Sequence, residues 1–254
     1  NLWDLYDWAQ TPFEWQKELF EYANNIGMTI ISTPFDESAV DLLESLSCPF
    51  YKVASFELTD LPLIKYIAQT KKPMILSTGM ANEKEIKEAI DVIQEYGSGD
   101  FILLHCVSGY PTPVEEINLD TITLLKKKFQ CEVGLSDHTL GNTSAILSIA
   151  LGAKVIEKHF TFDRSEGGPD AEFSMEPHEL KDLCSSISMA YEAIGEGSFE
   201  MKKAEESNIK FRRSIYVVKD IKKGEKFTNN NIRRIRPGYG LPPKKYDDII
   251  GLNA

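Results

Sequence analysis

The sequence predicts an α/β protein: a parallel TIM (β/α)8 barrel followed by a small β-rich module. Short apolar runs alternate with longer amphipathic stretches at intervals of about 22 to 30 residues, the repeat of a βα unit. Polar residues gather at the C-terminal end of one apolar run after another. A barrel builds its site from many such strand ends, whereas a doubly wound sheet concentrates its site at one switch point. The two observations together favour the barrel.

The apolar runs predict six strands, and the stretches between them predict helices. The strands are expected at residues 28–35, 50–57, 73–80, 101–108, 131–138 and 154–162. Helices are expected at residues 36–46, 81–97, 141–153 and 175–195. A TIM barrel has eight strands. Either two βα units lie outside this chain, or the sheet is open.

The character of the chain changes after the last predicted helix. Residues 197–211 are polar and typical of a linker. From residue 212 to residue 254 there are short β runs, Gly-rich turns and a basic cluster around Arg236. We therefore predict a barrel domain over 1–196, a linker over 197–211 and a second domain over 212–254.

The composition narrows the class of protein. Hydrophobic residues make up 42% and charged residues 26% of the 254 positions, as in a soluble globular protein. The net charge of −11 argues against a nucleic-acid partner. We expect no membrane contact and a cytoplasmic location, because no apolar run reaches the roughly 18 residues of a membrane span and the start is acidic and aromatic. The four scattered cysteines indicate reduced thiols; a metal site or a disulfide is the alternative.

Two histidines are candidates for metal ligands. His138 and His159 end neighbouring predicted strands, so both are expected at the same rim, and Glu157 shares a face with His159 because side chains alternate along a strand. Neutral imidazoles from adjacent strands suit a divalent metal with open coordination positions. The alternative is that each histidine is a hydrogen-bonded core residue. The pattern alone leaves both interpretations open.

Cationic and hydroxyl side chains at the strand ends are candidates for anion binding. Lys52 follows two aromatic residues, which predicts a buried partner, whereas Lys158 is expected to face outward into solvent. Serine hydroxyls can donate to an anion without adding charge. Tyr110 and Asp170 lie in turn-like segments and have a plain structural interpretation as turn residues.

Seven motifs in order resemble one family. They are "STPFD", "YKVASFE", "ILSTGMA", "LLHCVSGYPTP", "VGLSDHT", "ALGAKVIEKHF" and "GGPDAEFSMEP". The chain resembles the sialic acid synthase family, which condenses phosphoenolpyruvate with N-acetylated amino sugars. Phe56 in "YKVASFE" and the tail "IRPGYGLPP" make it similar to the pseudaminic acid branch.

The resemblance implies a fold, a metal and a set of site residues. It implies a (β/α)8 barrel with a C-terminal antifreeze-like SAF domain, in a domain-swapped homodimer. It implies a divalent metal, Mn²⁺ or Mg²⁺ with Co²⁺ as a further candidate, on His138 and His159. It implies catalytic roles for Glu57, Glu157 and Asp170. Substrate contacts carry over to Lys52, Ser55, Ser77, Ser108, Tyr110, Ser136 and, from the tail domain, Arg236.

The implied activity is the synthesis of pseudaminic acid from phosphoenolpyruvate and 2,4-diacetamido-2,4,6-trideoxy-altrose, with C–O cleavage and release of phosphate. Synthesis of N-acetylneuraminate or legionaminate by the same chemistry is one alternative. A non-catalytic sugar- or phosphate-binding module and a metal-dependent aldolase are others. Against the family pattern, we expect that the first βα units precede residue 1 and that the tail domain ends early.

Overall fold

The computed structural model describes residues 2–254, apart from the side chains of residues 2 and 5–7. The chain divides into two compact units, one ending at Gly195 and one covering Glu196–Ala254. In the part of the chain described, no helix is both long enough and apolar enough to cross a membrane.

A curled parallel sheet forms the centre of the first unit. Its strands, in spatial order, are β1 (Tyr51–Val53), β2 (Met74–Ser77), β3 (Phe101–Cys106), β4 (Glu132–Asp137) and β5 (Ala153–Lys158). All four pairings are parallel. Lys52 of β1 and Glu157 of β5 belong to opposite ends of this order, yet their side chains approach to 3.5 Å. The sheet therefore curves round on itself, and the barrel-like fold predicted from the sequence is confirmed.

Helices connect the strands. The first unit has α1 (Leu2–Ala9), α2 (Phe13–Asn25), α3 (Glu37–Ser45), α4 (Leu61–Gln69), α5 (Glu83–Tyr96), α6 (Thr121–Phe129), α7 (Thr143–Ala150) and α8 (Pro177–Ile194). Their starts follow ordinary capping chemistry. At α5 the Asn82 side chain accepts from the backbone of Glu85, whose carboxylate accepts from the Asn82 amide in return.

The alternation of side chains along the strands separates two layers. Outward-facing residues such as Val53, Leu76 and Leu135 are buried against the helices and form the main apolar core. The intervening residues face the inside of the curled sheet. Near the C-terminal strand ends these inward residues are polar, among them Lys52 and Ser77. The apolar layer thus supports a polar interior at one end of the sheet.

The strand prediction at residues 28–35 is wrong. No strand is formed there among the described residues, and Asp36 instead caps the start of α3 by accepting from the Ala39 amide. β-Branched and apolar residues favour an extended chain, but a strand also needs a neighbour with which to exchange backbone hydrogen bonds. The predicted strands also ran too far at their C-terminal ends. After β1, for example, the chain turns into a short 3-10 helix at Ser55–Glu57.

The second unit contains a small antiparallel ribbon. Its strands β6 (Ser214–Val217) and β7 (Ile232–Ile235) pair in antiparallel register. A 3-10 helix (Lys203–Phe211) precedes them, and the short α9 (Tyr246–Ile249) follows. The side chain of Ile232, at the start of β7, is buried.

Candidate active site

Lys52 is the central cation at the C-terminal rim of the sheet. It is 6% exposed, and its Nζ donates to Ser77 Oγ at 2.9 Å and to the Val53 carbonyl at 3.1 Å. Glu157 Oε2 lies 3.5 Å away, and Glu157 Oε1 accepts from Ser136 Oγ at 2.6 Å. Four strands, β1, β2, β4 and β5, thus place a cation, a carboxylate and two hydroxyls in one connected group, and the predicted buried partner of Lys52 is confirmed.

Where β1, β2 and β3 end, the backbone of Gly79 lies close to the side chains of Ser55 and Ser108. The Gly79 amide donates to Ser55 Oγ at 3.1 Å. A Cβ built on Gly79 would lie 2.3 Å from Ser108 Oγ and 2.7 Å from Ser55 Oγ. Any side chain at position 79 would therefore displace these hydroxyls, so glycine is what allows both serines to converge there.

Glu57 holds a buried oxygen without a partner. Among the described residues its Oε2 is buried and accepts no hydrogen bond. Burial raises the pKa of this carboxyl group, against the opposing charge of nearby Lys52. A buried polar atom left unpaired is costly unless a ligand or water completes it. Glu57 is thus a candidate for substrate contact or proton transfer.

His138 and His159 lie side by side. Their ring centroids are 5.2 Å apart, and the rings meet edge to face. His138 is 5% exposed and its Nδ1 lies 2.9 Å from the Val107 carbonyl, which makes Nδ1 the protonated nitrogen of the neutral ring and Nε2 the nitrogen with a lone pair. His159 Nδ1 lies 3.4 Å from Asp170 Oδ2.

The two histidines differ in electrostatic surroundings. Burial lowers the pKa of His159, and the Asp170 carboxylate only partly opposes this. Burial also acts to lower the pKa of His138, but its interactions with the Cys106 thiol and the Val107 carbonyl outweigh it and raise the pKa. The same interaction with His138 lowers the pKa of the Cys106 thiol, although burial acts to raise it.

This donor chemistry fits a divalent metal. Each imidazole has one ring nitrogen turned to a protein oxygen, a carbonyl for His138 and a carboxylate for His159, as metal-binding histidines commonly do. Within residues 2–254, no group of three or more His, Cys, Asp or Glu side chains is placed to hold a metal. Two imidazoles alone would leave further coordination positions open.

An aromatic group surrounds the histidines. The Tyr110 ring lies 4.4 Å from the His138 ring, and the Phe173 ring lies 4.9 Å from the His159 ring. Tyr110 and Phe173 are themselves 5.6 Å apart. Tyr110 is therefore more than a turn residue, since it packs directly on one of the candidate ligands.

The predicted site residues of the first unit converge at this rim. Glu57 interacts with the group through the charge of Lys52. The other residues are linked by the hydrogen bonds, ion pairs, ring contacts and close approaches described above: Lys52, Ser55, Ser77, Ser108, Tyr110, Ser136, His138, Glu157, His159 and Asp170. Arg236 belongs to the second unit, directly after β7, and is exposed there.

The expectation for Lys158 is wrong in one respect. The side chain does face outward from the sheet, but it is 4% exposed and forms an ion pair with Asp137. Alternation along a strand predicts which face a side chain takes, and in a helix-covered sheet both faces are buried.

Sequence reasoning missed two residues of the site. Cys106 lies 4.0 Å from His138 Nδ1 and 3.9 Å from Ser108 Oγ. Its position two residues before Ser108 places it on the same face, which was a usable signal. Phe173 lies in a 3-10 turn whose sequence gives no indication of its contact with His159.

Comparison with known proteins gives matches over both units. The model of the NeuB family matches residues 1–199, and that of the SAF domain matches residues 212–254. A pseudaminic acid synthase of Helicobacter pylori is 45% identical over 255 residues, which cover all of this chain and 75% of that protein. An N,N'-diacetyllegionaminic acid synthase of Campylobacter jejuni is 44% identical over 241 residues, covering 94% of this chain and 72% of the relative.

A solved structure has the same fold. The N-acetylneuraminic acid synthetase of Leptospira borgpetersenii superimposes with a TM-score of 0.77 at 33% identity. The match covers 82% of this chain and 73% of that one.

Proposed function

This chain belongs to the NeuB family, and on that premise we propose that it is a pseudaminic acid synthase. It condenses phosphoenolpyruvate with 2,4-diacetamido-2,4,6-trideoxy-altrose and water, and it releases phosphate. The observation that carries this function is the single rim that holds both Lys52, with its hydroxyl and carboxylate partners, and the His138–His159 pair. Glu157, the carboxylate beside Lys52, interacts electrostatically with both histidines. The 45% identity to the Helicobacter pylori enzyme over the whole chain supports the choice of sugar.

The reaction needs an anion site beside a carbonyl site. C3 of phosphoenolpyruvate forms a bond to the aldehyde carbon of the open-chain sugar, which leaves positive charge at C2. Water adds at C2, and the bond from C2 to the bridging oxygen then breaks as phosphate leaves. Holding both reactants in contact can contribute several kcal/mol towards the barrier.

The residues at the rim have distinct roles in this scheme. Lys52 and the rim serines bind the carboxylate and phosphate by charge-assisted and neutral hydrogen bonds. Glu157, held by Ser136, faces the developing positive charge at C2. Glu57, whose pKa is raised by burial, is suited to exchange a proton with the attacking water. Asp170 orients His159 and lies where it can contact the sugar.

His138 and His159 would hold a divalent metal, Mn²⁺ or Mg²⁺. When bound there, the metal supplies a Lewis acid for the sugar carbonyl. Tyr110 and Phe173 pack on the two imidazoles and help to fix their orientation.

Further parts of the assignment remain predictions. They are the domain limits 1–196, 197–211 and 212–254, the homodimer, and sugar binding by Arg236 across that dimer. A gel-filtration and light-scattering measurement tests the dimer. A rise in the KM for the sugar in Arg236→Ala, without a rise for phosphoenolpyruvate, tests the arginine.

Phosphate release from phosphoenolpyruvate tests the function. The protein is incubated with Mn²⁺ and, in parallel, with the altrose sugar, with 2,4-diacetamido-2,4,6-trideoxymannose and with N-acetylmannosamine. We expect release with the altrose sugar. Release with the trideoxymannose sugar alone would instead assign legionaminate synthesis, the second candidate, which the 44% identity to the Campylobacter jejuni enzyme favours. Sugar binding without phosphate release would indicate a binding module.

A further inference from the structure

A buried ion pair lies directly behind the two histidines. Lys158 Nζ is 3.1 Å from Asp137 Oδ2, and the two side chains are 4% and 0% exposed. Both residues face away from the interior of the sheet, on the side covered by helices. Neither takes part in the chemistry described above.

The pair occupies the last rung of the β4–β5 ladder. Asp137 is the register partner of Lys158, and each is followed at once by a candidate metal ligand. On the inner face, the preceding rung is closed by the Ser136–Glu157 hydrogen bond. Side chains therefore link β4 and β5 at two successive residue pairs, Ser136–Glu157 on the inner face and Asp137–Lys158 on the outer face. The next residue of each strand is the candidate metal ligand.

The pair also holds the turn that follows His138. Lys158 Nζ donates to the Thr139 carbonyl at 2.7 Å, and the Gly141 carbonyl lies 3.4 Å away. Asp137 Oδ1 accepts from the Thr139 amide at 2.9 Å and from its hydroxyl at 2.8 Å. His138 thus lies between a fixed strand end and a fixed turn.

Stability alone does not account for such a pair. Removing two charges from water costs as much as, or more than, their attraction returns, and well-packed apolar residues of similar size often stabilise a protein as well or better. An ion pair with directed hydrogen bonds does what an apolar pair cannot: it sets the register and separation of the two strand ends. Such control matters where ligand atoms must be placed to within about 0.5 Å.

We propose that the Asp137–Lys158 ion pair is a positioning device that sets the separation of His138 and His159, and thereby the affinity of the rim for a divalent cation. This inference rests on the metal site of the proposed function. Supporting contacts behind metal ligands are typically worth 10- to 100-fold in metal affinity.

The test is Mn²⁺ binding, followed by the loss of the free Mn²⁺ signal in electron paramagnetic resonance. The variants are Lys158→Met and the double variant Asp137→Asn/Lys158→Met. The double variant removes both charges and so leaves no buried charge unpaired. Lys72→Met is the matched control, because it breaks the Lys72–Glu44 ion pair at the opposite end of the strands. Circular dichroism and thermal unfolding measure the folded fraction of each protein.

We expect the folded double variant to bind Mn²⁺ about 10- to 100-fold more weakly than the unaltered protein. Lys72→Met should bind as the unaltered protein does, even where its unfolding temperature falls. Equal Mn²⁺ affinity in the folded double variant and the unaltered protein would overturn the inference while leaving the metal site intact. An unaltered protein that binds no Mn²⁺ would overturn the metal site itself, and the inference with it.

Discussion

The two ends of the parallel strands both carry Lys and Glu side chains, but the two sets differ in how far their hydrogen bonds are satisfied within the protein. At the N-terminal end, Lys72 and Tyr51 both donate to Glu44 Oε1 at 2.6 Å, so each of these three polar side chains has a hydrogen-bond partner within the protein. At the C-terminal end, Lys52 is 3.5 Å from Glu157, and Glu57 keeps a buried oxygen that accepts nothing within the described chain. Tyr51 and Lys52 are adjacent in sequence, so alternation along β1 turns Tyr51 to the helix-covered face and Lys52 to the interior of the curled sheet.

This difference in hydrogen bonding distinguishes residues that stabilise the fold from residues that are available to bind a substrate. A network whose members pair with one another gains its hydrogen bonds on folding, whereas an unpaired buried atom costs free energy that a bound ligand or water offsets. Substitutions at the N-terminal end should therefore change stability, and those at the C-terminal rim should change turnover.

The largest effect is expected for His138→Ala. Loss of a Lewis acid worth several kcal/mol lowers kcat/KM by a factor on the order of a thousand. Phosphate release measured over a range of Mn²⁺ concentrations tests this, and thermal unfolding shows whether the fold is kept. Metal-independent turnover at the full rate in this variant would contradict the mechanism.

Glu157→Gln should lower kcat about a hundredfold, with a smaller change in KM for phosphoenolpyruvate. The amide keeps the shape and the hydrogen bond from Ser136 but removes the negative charge that faces C2. Glu132→Gln, at the exposed N-terminal end of the neighbouring strand β4, is the matched control and should leave kcat unchanged. Equal kcat values in the two variants would remove Glu157 from the mechanism.

Gly79→Ala should lower kcat/KM about tenfold and the free energy of unfolding by about 1–3 kcal/mol. The new methyl group would meet Ser55 Oγ and Ser108 Oγ at 2.7 and 2.3 Å, so the hydroxyls must move. Gly197→Ala is the control, since no atom lies within 4 Å of its added carbon. Turnover assays and urea unfolding of both variants test this, and an unaffected Gly79→Ala would show that the serines need not converge.

The smallest effect concerns pH and His105, on the helix-facing side of β3. Burial lowers the pKa of His105, whose Nε2 lies 2.6 Å from the Ile117 carbonyl. The unfolded state therefore binds more protons as the pH falls below about 6.5, and stability decreases on acidification. His105→Gln should make the decrease between pH 7.5 and pH 5.5 smaller. Urea unfolding at both pH values measures this; an identical decrease in both proteins would refute it.

Much of this contrast could be predicted from sequence, because it depends on periodicity. Spacing predicted the βα repeat, and the polar strand ends predicted the rim with Lys52, Glu157 and the two histidines. Residues 28–35 show where prediction from sequence fails. Their composition is typical of a strand, but composition does not determine whether a neighbouring strand is present to pair with. Lys158 shows a second limit: the outward face was predicted correctly, but its burial depends on the turn at Thr139–Gly141 that covers it.

Calorimetric titration of phosphoenolpyruvate into Lys52→Met and Lys72→Met tests the contrast between the two strand ends most directly. Each variant replaces one lysine of a Lys–Glu pair. Lys52 lies at the C-terminal rim of the sheet, and Lys72 lies at the N-terminal end of the strands. We predict that Lys52→Met loses affinity by about 10- to 100-fold, as expected for a charge-assisted hydrogen bond, while Lys72→Met binds as the unaltered protein does. Equal affinity in the two variants, or a loss confined to Lys72→Met, would contradict the assignment of the rim as the active site.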